Sequence, residues 1–124
     1  MNIVSTNNAP AAIGPYSQAV EVNGLIFISG QLPINPATGE FADGDIKDLT
    51  RQSMNNIKAI LEAAGSSMDK VIKTTVLVKD LGTFADVNEA YGEFFGDKAP
   101  ARACYEVAGL PKGALIEIEA IAYK

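Results

Sequence analysis

The segment Leu115–Tyr123, LIEIEAIAY, alternates strictly: Ile116, Ile118, Ala120 and Ala122 occupy one parity, and Leu115, Glu117, Glu119 and Ile121 the other. A strand sends successive side chains to opposite faces, whereas a helix would scatter these residues around its axis. The segment is therefore a strand of a sheet with two unlike faces. The Ile/Ala face is assigned to a core, which elements elsewhere in the chain must cover.

Two helices can supply that cover. From about Asp45 to Ala64, Ile46, Leu49, Met54, Ile57, Ile60 and Leu61 fall on one stripe, with Asp45 placed to cap the start and Gly65 the end. Further on, Phe84, Val87, Tyr91, Phe94 and Phe95 make a second apolar stripe, ended by Gly96 and Pro100. Asn23-Gly24 sits between two short strand-like runs in SQAVEVNGLIFISG and predicts a two-residue hairpin turn. Val71–Val78, VIKTTVLV, is rich in β-branched residues and too short for an ordinary helix, so it reads as a further strand. QLPINPATGEFADGD reads as a connecting loop, and AGLPKG as the turn of a final hairpin joining ARACYEV to LIEIEAIAY. The order is ββαβαββ, with an extra strand at Ile3–Ser5 left open. It predicts an α+β domain spanning residues 1–124, a single mixed sheet with both helices on one face. Nothing remains in the chain to cover the other face, so homo-oligomerisation is expected.

The composition removes several functions. The 124 residues contain one cysteine and no histidine, which excludes an intrachain disulfide, a closed structural zinc site and any imidazole-based triad. Acid–base work must fall to carboxylates, tyrosines, lysines, the thiol or water. No metal or cofactor is expected. The net charge is −5 and the ten Lys and Arg residues are scattered, a poor match to nucleic acid. MNIVSTNNAPAAIGP lacks a basic n-region and a long apolar h-region, and runs such as Leu25–Ile28 are too short to cross a bilayer. A reduced, cytoplasmic protein is expected.

The polar residues of PARACYEV stand out against this background. Arg102, Cys104 and Glu106 share one parity of a strand that otherwise reads as buried. A final hairpin turning near Pro111 would set Cys104 opposite Glu117 and Arg102 opposite Glu119, gathering a cation, a thiol and two carboxylates in one patch. Such a patch is either a solvated face with cross-strand ion pairs or a site. Asn88 lies on the apolar stripe of the second helix, where an amide must be hydrogen-bonded, to backbone or to a ligand. Gly30 marks either a bulge or a close ligand approach. Tyr16, held by a Gly-Pro turn, is either a lid on the core or a hydroxyl offered to a ligand.

APAAIGPYSQAV, ISGQLPINPATGE, AGSSMDKVIKTTVLVKDL and PARACYEVAGLPKGALIEIEAIAYK together resemble the RidA (YjgF) family of reactive-intermediate deaminases, across essentially the whole chain. The Arg-X-Cys of PARAC followed by IEIEAIA is the most specific part. The resemblance implies a chorismate-mutase-like α+β fold and a homotrimer with active sites in clefts between subunits. It implies hydrolysis of 2-iminobutanoate and 2-iminopropanoate, and of their enamine tautomers, to 2-oxo acids and ammonia. By position it implies Arg102 as the carboxylate anchor, Glu117 as the residue handling the reactive water, and Cys104, Tyr16, Asn88 and Gly30 as further substrate-site positions. Ala103 departs from the serine many members carry, and the loop FFGDKAPAR is shorter than in some relatives. Arg102 is what places the chain with the deaminase group, since some related groups lack it.

The chemistry suits these residues. A planar guanidinium can hold a carboxylate through two parallel charge-assisted hydrogen bonds, and hydrolysis of a protonated imine needs little beyond positioning and one proton carrier. Cys104 is assigned to the apolar wall rather than to nucleophilic chemistry. Two alternatives stand beside this reading: a non-catalytic trimer binding 2-oxo acids or a protein partner, and a ribonuclease or translation inhibitor.

Overall fold

The computed structural model describes residues 1–124. The strands are β1 (Asn2–Val4), β2 (Ala19–Val22), β3 (Leu25–Gln31), β4 (Ile34–Asn35), β5 (Glu40–Phe41), β6 (Val71–Val78), β7 (Ala101–Glu106) and β8 (Ile116–Tyr123), and the helices are α1 (Ile46–Ala63) and α2 (Phe84–Gly92). Six strands form one mixed sheet in the order β1-β2-β3-β8-β6-β7, while β4 and β5 make a separate two-stranded ribbon. That ribbon lies in the segment expected to be only a loop. The class is the expected α+β, a mixed sheet with both helices on one face, although the strand pairing departs from expectation at the end of the chain.

Local chemistry sets the element boundaries. Asn23 and Gly24 adopt φ of 51° and 77°, the left-handed pair that matches the twist of a two-residue hairpin, and they place Val22 opposite Leu25. Asp45 accepts from the backbone N–H groups of Lys47 and Asp48 while Asp48 reaches back to the N–H of Asp45, a complete capping box. At the other end of α1, Gly65 takes φ 80° and its N–H donates to the carbonyl of Glu62, while that of Ser66 donates to Leu61. Those two bonds satisfy carbonyls that the helix itself cannot. Helix α2 ends at Gly92, short of Gly96, so Phe94 and Phe95 pack from the turn that follows it rather than from the helix.

The core lies between the helices and one face of the sheet. Ile26, Ile116, Ile118, Val76 and Val78 from the sheet meet Met54, Ile57, Ile60, Leu61 and Val87 from the helices, all fully buried. The Ile116/Ile118/Ala120/Ala122 face is thus the helix-covered one. Each buried aliphatic side chain contributes about 1.5–3 kcal/mol relative to exposure. Truncating Ile57 to Ala in this close-packed layer would cost about 2–5 kcal/mol. The opposite face remains open, and an apolar row, Ile3, Val20, Phe27 and Ile121, crosses it strand by strand. Ile3 is 66% exposed and Phe27 38%.

The final hairpin is not formed. β6 lies between β7 and β8, parallel to the first and antiparallel to the second. β6, α2 and β7 instead make a strand–helix–strand crossover, the usual way to join parallel neighbours. The link after β7 carries a 3₁₀ turn at Pro111–Gly113 and delivers the chain to the far side of β6. Arg102 therefore pairs with Thr74 and Cys104 with Val76, whereas Glu117 pairs with Leu77 and Glu119 with Thr75. Directly paired residues share a face and neighbours alternate. Arg102 and Cys104 thus project to the helix side of the sheet, and Glu117 and Glu119 to the open side. The single patch expected from the hairpin register does not exist within one chain.

Candidate functional site

The residues singled out in the sequence fall into two clusters on opposite sheet faces. The first is built around Arg102, on edge strand β7. Its Nη1 donates to Oδ1 of Asn88 at 2.7 Å, and its guanidinium carbon stands 4.9 Å from the ring centre of Tyr91 and 5.4 Å from that of Phe84. Phe84, Asn88 and Tyr91 are spaced i, i+4, i+7, so one face of α2 supplies all three contacts. Asn88 is half-buried and bonded to a side chain, not a core amide tied to backbone. No carboxylate forms an ion pair with Arg102. The guanidinium borders two surface recesses, one with Asn88, Tyr91 and Pro100, the other with Leu81, Phe84 and Cys104. Burial pushes the Cys104 thiol above its ordinary pKa, and the neighbouring Arg102 charge offsets this only in part. Cys104 is thus a neutral thiol rather than a poised thiolate.

The second cluster gathers Tyr16, Gly30 and Glu117. β3 bulges between Ile28 and Gln31, and the Glu117 side chain lies over Gly30. A Cβ at Gly30 would stand 2.7 Å from Cδ of Glu117 and 2.9 Å from its Oε2. Only glycine leaves the carboxylate that space, and no positive φ is involved. Gly30 therefore sits at a bulge and gives close approach to a side chain of its own fold. Glu117 has no salt bridge, and burial, followed by repulsion from Glu119, raises its pKa above the usual carboxylate value. Tyr16 is 50% exposed, so it is no lid on the core. Its N–H donates to the carbonyl of Gly14 at 2.8 Å, and its ring borders the same groove as Gly30 and Glu117. The segment leading to it is pinned by buried Gln18, which accepts from the N–H of Thr6 and donates to the carbonyls of Thr6 and Pro10. The groove encloses about 420 Å3 and continues past Ile13, Leu32, Ile34, Pro111 and Lys112.

Each cluster is coherent, and the sheet separates them. The sequence places Phe84 and Tyr91 only on an apolar core stripe and does not by itself mark them as partners of Arg102. The signal was present: Asn88 shares their helical face, and a polar residue there needs a partner.

Residues 6–124 match the family described as Endoribonuclease L-PSP. A RutC family protein of Pyrococcus horikoshii is 60% identical over 122 residues, 98% of this chain and 97% of that protein. The 2-iminobutanoate/2-iminopropanoate deaminase of Escherichia coli K12 is 53% identical over 124 residues, 98% of this chain and 96% of that protein. Among solved structures, Escherichia coli TdcF with bound serine superposes with a TM-score of 0.95 at 46% identity, covering 100% of this chain and 99% of that one. Alike in sequence and in backbone along almost the whole length, the chain belongs to the Endoribonuclease L-PSP family, the RidA or YjgF family.

Proposed function

We propose that this protein hydrolyses small 2-imino acids, 2-iminobutanoate and 2-iminopropanoate, to 2-oxo acids and ammonia, and that it does so as a homotrimer in the cytoplasm. The observation that carries the reading is Arg102: a half-buried, oriented guanidinium with no carboxylate of its own chain to neutralise it. Such a group is suited to a small carboxylate ligand. The deaminase name of the Escherichia coli relative supports the reaction, and the serine bound to TdcF supports an amino-acid-sized ligand.

In this reading the cleft forms where the Arg102 cluster of one subunit faces the Glu117 cluster of another, across the apolar sheet face that one chain leaves open. Arg102 takes the substrate carboxylate in a forked pair of hydrogen bonds and fixes the adjacent imine carbon. Glu117, as the carboxylate, removes a proton from water as the oxygen bonds to the carbon of the protonated imine, giving a neutral carbinolamine. Glu117 passes that proton to the amine nitrogen and then takes the hydroxyl proton as the C–N bond breaks and the C=O forms; this last proton leaves with ammonia as ammonium, and the 2-oxo acid departs. Tyr16 offers its hydroxyl to the ligand, Gly30 keeps the space in which Glu117 lies, and Cys104 walls the cleft. Atoms balance with water as the only co-substrate.

A threonine dehydratase generating 2-iminobutanoate in place, with 2-oxobutanoate and ammonia followed as this protein is added, tests the proposal. Acceleration in proportion to protein supports it. An unchanged rate of imine decay, with 2-oxobutanoate bound at the site, would make the protein a binding trimer instead.

A further inference from the structure

Behind Arg102 lies a second layer that the reaction scheme does not use. The Tyr91 hydroxyl and the Thr74 Oγ1 are 2.7 Å apart in the buried interior, and Thr74 is the residue directly paired with Arg102 across the β6–β7 ladder. The Tyr91 ring is thus tied at its tip to β6 and carried at its base by α2. Phe95 packs tilted against it with ring centres 5.0 Å apart, and the Arg102 guanidinium rests over its face at 4.9 Å. Tyr91 itself is 5% exposed.

We infer that Tyr91, locked by Thr74, is a positioning residue that sets the plane of the Arg102 guanidinium and so the affinity of this site for a carboxylate. The inference rests on Arg102 being the carboxylate anchor. An arginine side chain has many rotamers, and the Asn88 hydrogen bond fixes one nitrogen but leaves rotation about that contact. A ring face under the guanidinium removes that freedom, because cation–π attraction and stacking favour one plane. The fork is then presented ready for two parallel bonds, and less ordering is left for the substrate to provide. The hydroxyl pair also explains why a tyrosine stands where phenylalanine would fill the same core volume: without it the Thr74 hydroxyl would be buried without a partner. Burial raises the Tyr91 phenol above its ordinary pKa, so it stays protonated and the lock holds across the neutral range.

The test compares Tyr91→Phe, Tyr91→Leu and Arg102→Ala singly and in combination, measuring imine turnover in the coupled assay, 2-oxobutanoate binding by calorimetry, and melting temperature. Tyr91→Leu is expected to raise KM and weaken 2-oxobutanoate binding by about 10- to 30-fold with kcat far less affected, matching loss of a desolvated cation–π contact. Tyr91→Phe, which keeps the ring and loses the lock, is expected to weaken binding by about threefold. In the Arg102→Ala background, Tyr91→Leu should produce no further loss of binding, because its effect passes through the guanidinium. A purely structural role would instead lower the melting temperature equally in both backgrounds and leave binding by the folded fraction unchanged, and that result overturns the inference. If Tyr91→Leu does not fold, the Tyr91→Phe comparison in the two backgrounds decides. The reading beneath it fails separately: Arg102→Ala binding 2-oxobutanoate like the wild type would remove the anchor itself, whatever Tyr91 does.

Discussion

The two clusters differ in how completely one chain builds them. Arg102 is fully furnished: an amide on one nitrogen, rings against its plane and a buried hydroxyl pair behind one of those rings, all from elements packed in the same core. Glu117 has space cleared for it by a bulge glycine, a tyrosine on a surface turn and no salt bridge. A guanidinium keeps its charge throughout a reaction, so rigid support costs it nothing. A carboxylate that must gain and lose a proton is served by the opposite arrangement. Were Arg102 and Glu117 neighbours on one sheet face, as a simple hairpin would have made them, they would form an internal ion pair. That pair would occupy the fork and depress the carboxyl pKa. The opposite faces prevent this within one chain, leaving Arg102 without a carboxylate partner and Glu117 with a raised pKa.

The comparison breaks hardest at Glu117. Glu117→Gln keeps the shape and removes the proposed proton carrier, so kcat should fall by about 10²- to 10⁴-fold, read in the coupled imine assay. The same group sets a pH dependence. In the proposed reaction its basic form removes the proton from water, so kcat/KM should rise with pH through a midpoint above the ordinary carboxylate value of about 4.3, and that limb should vanish in the Gln variant. The linkage to stability has the opposite sense. A carboxyl whose folded pKa is raised binds more protons folded than unfolded. Stability therefore falls as pH rises from the unfolded to the folded pKa, and above that window Glu117→Gln should not lower the melting temperature.

Arg102→Lys comes next. It keeps the charge but loses the fork and the stacking plane, and kcat/KM should drop by about 100-fold in a protein with an unchanged circular dichroism spectrum. Near wild-type activity would show that a point charge suffices and that the furnishing of Arg102 serves stability alone. Gly30→Ala sharpens the Glu117 side. The added methyl would press on the Glu117 carboxyl group from 2.7 Å, and moving that flexible side chain should lower kcat by about 10-fold, with only a small change in melting temperature. Cys104→Ala should be mildest, within about threefold of wild type, since in the proposed cleft the neutral thiol contributes only wall. Alkylating Cys104 should inhibit by obstruction, and the Ala variant should resist the reagent.

How far the sequence revealed this arrangement depended on whether the determining interaction was local. The Asp45 cap of α1, its left-handed Gly65, the Asn23-Gly24 turn and the limits of β6 were all legible, because each rests on residues within a few positions of one another. Strand pairing rests on the whole sheet. Two successive strands with a turn-rich link look like a hairpin, and nothing within Ala101–Tyr123 reveals that β6 has been inserted between them. The clue lay upstream, in the strand–helix–strand order of β6, α2 and β7, which favours a parallel pair. Because each strand's two faces alternate, that one pairing error moved Arg102 and Cys104 to the wrong side of the sheet relative to Glu117. The ribbon of β4 and β5 was hidden for a related reason. Its place is fixed by the buried Asn56 of α1, whose amide donates to the carbonyls of Leu32 and Ile34, a contact far apart in sequence.

The central claim is that a working cleft needs Arg102 from one copy and Glu117 from another, and subunit mixing tests it most directly. Arg102→Ala and Glu117→Gln proteins, each expected to be inactive alone, are unfolded together, refolded at equal concentrations and assayed for 2-oxobutanoate release. In randomly assorted trimers about one boundary in four joins an intact Arg102 cluster to an intact Glu117 cluster, so about a quarter of wild-type activity should return. A mixture of folded trimers as inactive as its parents would contradict the account.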